Sequence, residues 1–134
     1  MAKILITGAA GFIGSNFVRY WLEHHTEDEV VGYDALTYAG NLENLDRFQD
    51  NPRFRFIKGD IGDMETASAS LKGVDIVVNF AAESHNDRGV LDPGIFLRTN
   101  VLGTQVLLEA ARRCDVKRFH HISTCEVFGD LALH

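Results

Sequence analysis

The sequence predicts an α/β domain: a doubly wound parallel sheet with helices on both faces. Three observations predict it. Short β-rich apolar runs alternate with helical segments from end to end. One of those runs, Val74 to Ala82, is almost unbroken in its apolar character, as in a strand buried on both faces. A glycine-rich loop, "TGAAGFIG", joins the first run to the first helical segment. Alternation of this kind implies right-handed crossovers and a strand order of 3-2-1-4-5.

The elements follow in order. Lys3 to Thr7, "KILIT", is the first strand, ended by a glycine. Gly11 to His25 has helical periodicity, with Phe12, Ile13, Phe17, Val18, Trp21 and Leu22 on its apolar side. Glu29 to Asp34 is the second strand, and Asn41 to Gln49 a short helix. Arg53 to Asp60 alternates and forms the third strand. Asp63 to Leu71 is helical, with Asp63 placed to cap it. Val74 to Ala82 is the fourth strand. Asp92 or Pro93 to Cys114 reads as one long helix rich in Leu, Val and Ala. Val116 to Thr124 is a fifth, buried strand, with Cys125 and Glu126 at its foot. No repeat, low-complexity segment or linker interrupts the series.

The 134 residues suit one domain with its own core. A hydrophobic fraction of 46% and a charged fraction of 24% fit a globular chain. The net charge of -6 gives no attraction to nucleic acid or an anionic membrane. A phosphate-bearing ligand must then be met by backbone N–H groups or single basic side chains. Cys114 and Cys125 form neither a disulfide framework nor a CxxC zinc pair. His120 and His121 are consecutive on a strand and point to opposite faces, so no metal site is expected. The opening "MAKILITG" is too short in apolar residues for a signal peptide, and no run spans a bilayer. A cytoplasmic location is the expectation.

The glycine loop carries the chemistry. Gly8, Gly11 and Gly14 give a GxxGxxG spacing rather than GxGxxG. A tight strand-to-helix turn, a close approach by a pyrophosphate and tight helix-to-sheet packing each need a small residue. The helix that follows points free N–H groups at the phosphates. Asp34 stands about 20 residues beyond, at the end of the second strand, where ribose hydroxyls are met. The pattern is that of a Rossmann-like dinucleotide fold. A carboxylate at Asp34 repels the extra phosphate of NADP and no Arg follows it, so NAD is the expected cofactor. The other strand ends carry Asp60, Ala81 to His85, and Thr124 to Glu126. Asp60 alone serves equally as a cap, a solvated charge or a ligand contact.

Four further blocks narrow the reading: "DALTYAGNLENL" (Asp34 to Leu45), "AAESHNDR" (Ala81 to Arg88), "TNVLGTQVLLEAAR" (Thr99 to Arg112) and "HISTCEVFGDL" (His121 to Leu131). With the glycine loop, they resemble the extended short-chain dehydrogenase/reductases that act on nucleotide sugars, and among those the dTDP-glucose 4,6-dehydratases. The resemblance implies that Phe12 and Ile13 border the cofactor phosphates. It implies that Asp34, Ala35, Leu36 and Thr37 hold the adenosine ribose, and that Asp60 and Ile61 flank the adenine. Ala81, Ala82, Glu83, Ser84 and Thr99 would line the remaining cofactor surface. His85 and Thr124 would approach the sugar nucleotide. The family reaction withdraws a hydride from the sugar's fourth carbon, eliminates water, and returns the hydride to the sixth carbon.

Carried over, Glu126 matches the base that removes a proton. Cys125 stands where the family pattern "STDEVYG" has its acidic Asp, and Phe128 where it has a Tyr. Asn86 and Gly89 depart from "ESHVDRS". Thiols as a class keep their proton at neutral pH, so Cys125 can act as a weaker acid. The alternative is a small filler that lowers activity or marks another substrate. Nucleophilic catalysis by Cys125 is disfavoured, because no cation adjoins it in the sequence.

The superfamily also uses a Tyr-xxx-Lys pair, and Tyr20, Tyr33 and Tyr38 have no Lys four residues on. The chain is expected to be the front part of a longer enzyme, truncated after the fifth strand, without its substrate domain and inactive alone. The fifth strand then becomes an exposed edge, which favours a homo-oligomer. A related epimerase or decarboxylase, or a catalytically silent NAD-binding module, are the competing readings.

Overall fold

A computed structural model describes residues 1–129; residues 130–134, which include the end of the "HISTCEVFGDL" block, lie outside the described residues. Five strands form one parallel sheet: β1 (Lys3–Thr7), β2 (Glu29–Asp34), β3 (Phe54–Lys58), β4 (Ile76–Asn79) and β5 (Arg118–His121). Their order is β3-β2-β1-β4-β5, as the alternation predicts. The register pairs Thr7 with both Tyr33 and Asn79, and Asn79 with His121. The strands therefore finish nearly level, and their carboxyl ends make one rim.

Strand alternation sorts the apolar residues into two layers. Ile4, Ile6, Val30 and Val78 face one way and pack with Val18 and Leu22 of α1 (Phe12–His24) and with Leu45 and Phe48. Those last two belong to a 3-10 helix, Leu42–Phe48. Leu5, Val31, Tyr33 and Val77 face the other way. They meet Ala67 of α2 (Met64–Ser70) and Leu107, Ala110 and Ala111 of a later helix. Ile4, Leu5 and Ile6 are at most 1% exposed, and burying each contributes about 1.5–3 kcal/mol.

Asp63 caps α2 as expected, accepting from the N–H groups of Glu65 and Thr66 at 3.0 and 3.4 Å. The expected short helix within Asn41–Gln49 is present as the 3-10 helix Leu42–Phe48. The long helical segment from Pro93 runs as α4 (Pro93–Phe96), a π-helical stretch (Leu97–Gly103) and α5 (Thr104–Arg113), and a short helix that was not expected, α3 (Asn86–Leu91), precedes it. Pro93, which lacks an N–H, starts α4 at a first-turn position. Gly103, the last residue of the π-helical stretch, packs closely on Ile61: a Cβ there would lie 2.9 Å from Ile61 Cγ1. Other expectations need correction. β4 stops at Asn79 and β5 at His121, three residues short of their apolar runs. β5 is not buried: it pairs only with β4 and its residues are largely exposed. Cys125 and Glu126 lie in a separate 3-10 turn, Cys125–Phe128, not at the strand's foot. Phe12 and Ile13, placed on the apolar side of α1, are 83% and 64% exposed.

Among the described residues no helix is long and apolar enough to cross a membrane. The same residues hold no cluster of three metal-ligating side chains.

Candidate functional site

The level strand ends open into a cleft of about 710 Å³ along the carboxyl rim. Its floor is the glycine loop. Gly8 has φ +64°, a region closed to most side chains, and a Cβ there would stand 3.0 Å from the backbone of Phe80 and Ala81. Gly8 thus lets the β1 loop lie against the end of β4. Gly14 sits over the Gly8 carbonyl.

The first turn of α1 is left without partners by the loop's own hydrogen bonding. Gly11, the N-cap residue, has no side chain to cap with, and the turn contains no acidic residue. The carbonyl of Ala10, the natural acceptor for Gly14 N–H, instead accepts from Asn41 N–H at 3.1 Å and Asn44 Nδ2 at 2.9 Å. Among the described residues no protein acceptor takes the N–H of Phe12, Ile13 or Gly14. Three donors at a positive helix end therefore face the cleft, which is what an anion requires. No Lys, Arg or His is among the residues lining the cleft. The backbone N–H groups of the helix start therefore meet a phosphate there with no basic side chain among the described lining residues.

Asp34 holds the loop in shape. It is 9% exposed, and its Oδ2 accepts from Ala10 N–H at 2.9 Å while Oδ1 accepts from Leu36 N–H at 2.8 Å. Its carboxylate still lines the cleft beside Ala35 and Thr37. Leu36 does not: it turns back with φ +56° and packs against the core. Asp60 does two jobs. Its Oδ1 accepts from Gly62 N–H at 2.8 Å in a turn, and its side of the cleft includes Ile61. Its carbonyl accepts from Tyr33 Oη at 2.8 Å. That hydroxyl crosses Gly59, where a Cβ would come within 2.4 Å of it. Burial, with Asp63 and Asp60 nearby, pushes the Tyr33 phenol well above its ordinary pKa.

The opposite wall comes from β4. Ala81 N–H donates to Thr7 Oγ1 at 3.1 Å, Thr7 Oγ1 donates to Asn79 Oδ1, and Asn79 Nδ2 meets His121 Nδ1 at 3.1 Å. This chain of bonds ties the ends of β1, β4 and β5. Ala82, Glu83, Ser84 and Thr99 line the wall with Ala81. Asn100 holds Glu83 by two backbone bonds, at 2.8 and 2.9 Å.

The far end is formed by Ile122, Ser123, Thr124 and Glu126. Thr124 Oγ1 caps the 3-10 turn by accepting from Glu126 N–H at 3.5 Å. Cys125 Sγ lies 3.6 Å from Glu126 Oε2, within reach of a thiol donor, but Cys125 itself is not on the cleft wall. His85 also lies off the wall, with Nε2 3.9 Å from Asp87 Oδ2. The structure thus gathers all of the expected residues but Leu36, His85 and Cys125 around one cleft. Tyr33, Gly59, Phe80, Phe96 and Asn100 join the site without having been expected. The apolar ones are ordinary core residues in the sequence; only the level strand ends bring them to the rim.

The chain matches the family model described as GDP-mannose 4,6 dehydratase over residues 5–134. Agl12 of Haloferax volcanii, a low-salt glycan biosynthesis protein, is 52% identical over 128 residues, which are 96% of this chain and 41% of that protein. A dTDP-glucose 4,6-dehydratase of Mycobacterium tuberculosis is 51% identical over 131 residues, 98% of this chain and 39% of the relative. The crystal structure of DesIV, a dTDP-glucose 4,6-dehydratase from Streptomyces venezuelae with NAD bound, has a TM-score of 0.93 and 47% identity, covering 98% of this chain and 42% of that one. The chain spans about two fifths of the length of these relatives. With a family match from the first strand onward and relatives at half identity, the chain belongs to the GDP-mannose 4,6 dehydratase family of extended short-chain dehydrogenase/reductases and is homologous to its dTDP-glucose 4,6-dehydratases.

Proposed function

We propose that this chain is the NAD-binding part of a nucleotide-sugar dehydratase that converts a dTDP-glucose-like substrate to its 4-keto-6-deoxy product. The observation that carries the reading is the first turn of α1. Its Phe12, Ile13 and Gly14 N–H groups, unpaired among the described residues, lie in a cleft with no Lys, Arg or His among its described lining residues. Gly8 and Gly14 leave the space, and Asp34 stands beside them for a ribose. Asp60 and Ile61 would flank the adenine, and Ala81 to Ser84 with Thr99 would hold the rest of the dinucleotide. Bound there, NAD supplies a reversible hydride acceptor.

The chain's own residues would handle protons. Glu126 is the base on the cleft wall. Cys125 lies off the cleft wall with its sulfur directed at Glu126, and it would have to turn toward the cleft to hold a proton for a departing hydroxyl. Thr124 and His85 would meet the sugar nucleotide. The sequence contains no Tyr-xxx-Lys pair, so the 134 residues alone are expected to bind cofactor without turning substrate over. The exposed Leu97, Val101 and Leu108 favour self-association into a homo-oligomer.

Calorimetric titration of this chain with NAD and NADP tests the reading. NAD binding at least tenfold tighter than NADP is expected. Equal affinity, or no binding of either, contradicts it. In the longer enzyme, Cys125→Asp is expected to raise the rate of water elimination; no gain removes Cys125 from the acid's role.

A further inference from the structure

Two of the sequence blocks that distinguish this chain meet in space through one guanidinium. Arg88, in α3, has its Cζ 4.0 Å from the centre of the Tyr38 ring. Its Nε is 3.8 Å from Glu83 Oε2. Tyr38 belongs to the loop after β2 and Glu83 to the loop after β4, while β1 lies between those strands. Arg88 therefore joins the loops that flank the glycine loop.

The base of each loop is already pinned. Asn41 N–H donates to the Ala10 carbonyl at 3.1 Å, and Glu83 N–H to Asn100 Oδ1 at 2.8 Å. At the tips, Tyr38 meets the Arg88 guanidinium and, at 6.5 Å between ring centres, the His85 ring. Glu83 is 6% exposed, and its Oε2 has no hydrogen-bond partner among the described residues. A buried carboxylate oxygen without a partner is costly, and 3.8 Å is too long for a hydrogen bond. Arg88 is the one described cation within ion-pair distance of Glu83. It therefore supplies Glu83's compensating charge while its flat face rests on Tyr38.

We propose that Arg88 is a positioning residue, a clasp that grips Tyr38 by its face and Glu83 by its edge. It fixes the spacing of the two loops whose Thr37, Gly40, Ala82 and Ser84 face the cleft. A planar guanidinium can stack and pair at once, which a lysine ammonium cannot. The effect on ligand binding rests on the NAD reading above; the clasp itself is a property of the loops.

The test uses the whole chain with Arg88→Ala, Tyr38→Ala, the double variant and Tyr38→Phe. Amide hydrogen exchange is followed over residues 35–41, and NAD affinity by calorimetry. Both single alanine variants are expected to speed exchange there and weaken NAD binding about threefold to tenfold. The double variant is expected to be no weaker than either single one, and Tyr38→Phe to match the parent, since its ring remains. Tyr38→Ala leaves the sequence of α3 intact, so its loss is not a loss of that helix. Unchanged exchange in Arg88→Ala overturns the clasp whether or not NAD binds. Additive losses, or NAD bound equally by the parent and Arg88→Ala, overturn it too. A parent chain that binds no NAD overturns the dinucleotide reading instead, and the exchange result alone then decides the clasp.

Discussion

Gly14 rests directly on the carbonyl of Gly8: a Cβ there would stand 2.0 Å from that oxygen. The contact is backbone on backbone, so no flexible side chain can yield. Gly14→Ala is expected to push α1 off the β1 loop, at a cost of about 3 kcal/mol or more. NAD affinity is expected to fall beyond calorimetric detection. Urea unfolding with NAD titration checks both; a variant of parental stability and affinity counts against the loop geometry.

Asp34 has both carboxylate oxygens engaged, one by Ala10 N–H and one by Leu36 N–H. Asp34→Asn keeps the shape but turns one acceptor into a donor facing an N–H group. Leaving a buried donor unsatisfied costs about 1–3 kcal/mol. The same change removes the charge that disfavours a 2′-phosphate. The expected outcome is a less stable chain with weaker NAD binding and a narrower gap between NAD and NADP. Paired titrations of parent and variant read that gap.

Thr7 Oγ1 is both acceptor for Ala81 N–H and donor to Asn79. Thr7→Val preserves volume and removes both bonds. Thr7 is 0% exposed and Asn79 1%, so water cannot replace them. The expected loss is about 1–3 kcal/mol in urea unfolding. Faster amide exchange at Ala81 is expected with it, because the cleft wall loses its tether.

Acid is expected to weaken the fold at two places. The Arg112 and Arg113 guanidinium groups, hydrogen-bonded to Glu109, draw its pKa from 4.5 down to about 2. Lys117, hydrogen-bonded to Asp75, and Lys3 N–H hold Asp75 below its ordinary 3.8. Groups whose pKa is lowered on folding add stability above their ordinary values and lose it as pH falls through the folded ones. Urea midpoints are therefore expected to hold from neutrality to about pH 5 as far as these groups matter, and to drop below about pH 4. Asp75 also joins β1 to the segment entering β5, through Lys3 N–H and the Lys117 side chain. Asp75→Asn is expected to flatten part of that drop.

The strand order and the glycine loop were legible in the sequence because they rest on local signals. Apolar alternation, a turn of small residues and an acidic residue at a fixed distance need no knowledge of neighbours. The strand ends were not legible. "VDIVVNFAA" continues to Ala82, but β4 stops at Asn79 because its register partner Thr7 ends β1. An apolar run cannot report where its neighbour ends. Phe12 and Ile13 fit the helical period of a buried face, yet they stand exposed at the open cleft. Periodicity gives the face of a helix but not whether protein covers its first turn. Arg88's place between Tyr38 and Glu83 depends on how the loops after β2 and β4 meet, which no local signal reports.

On the proposed reading, the N–H groups of Phe12, Ile13 and Gly14 take the diphosphate of a dinucleotide. The most direct measurement is a titration of the ¹⁵N-labelled chain with NAD, following those three amide resonances. The expected result is saturable downfield shifts at all three with slowed exchange at the same amides. Saturable binding that moves other amides and leaves these three unchanged would contradict the account.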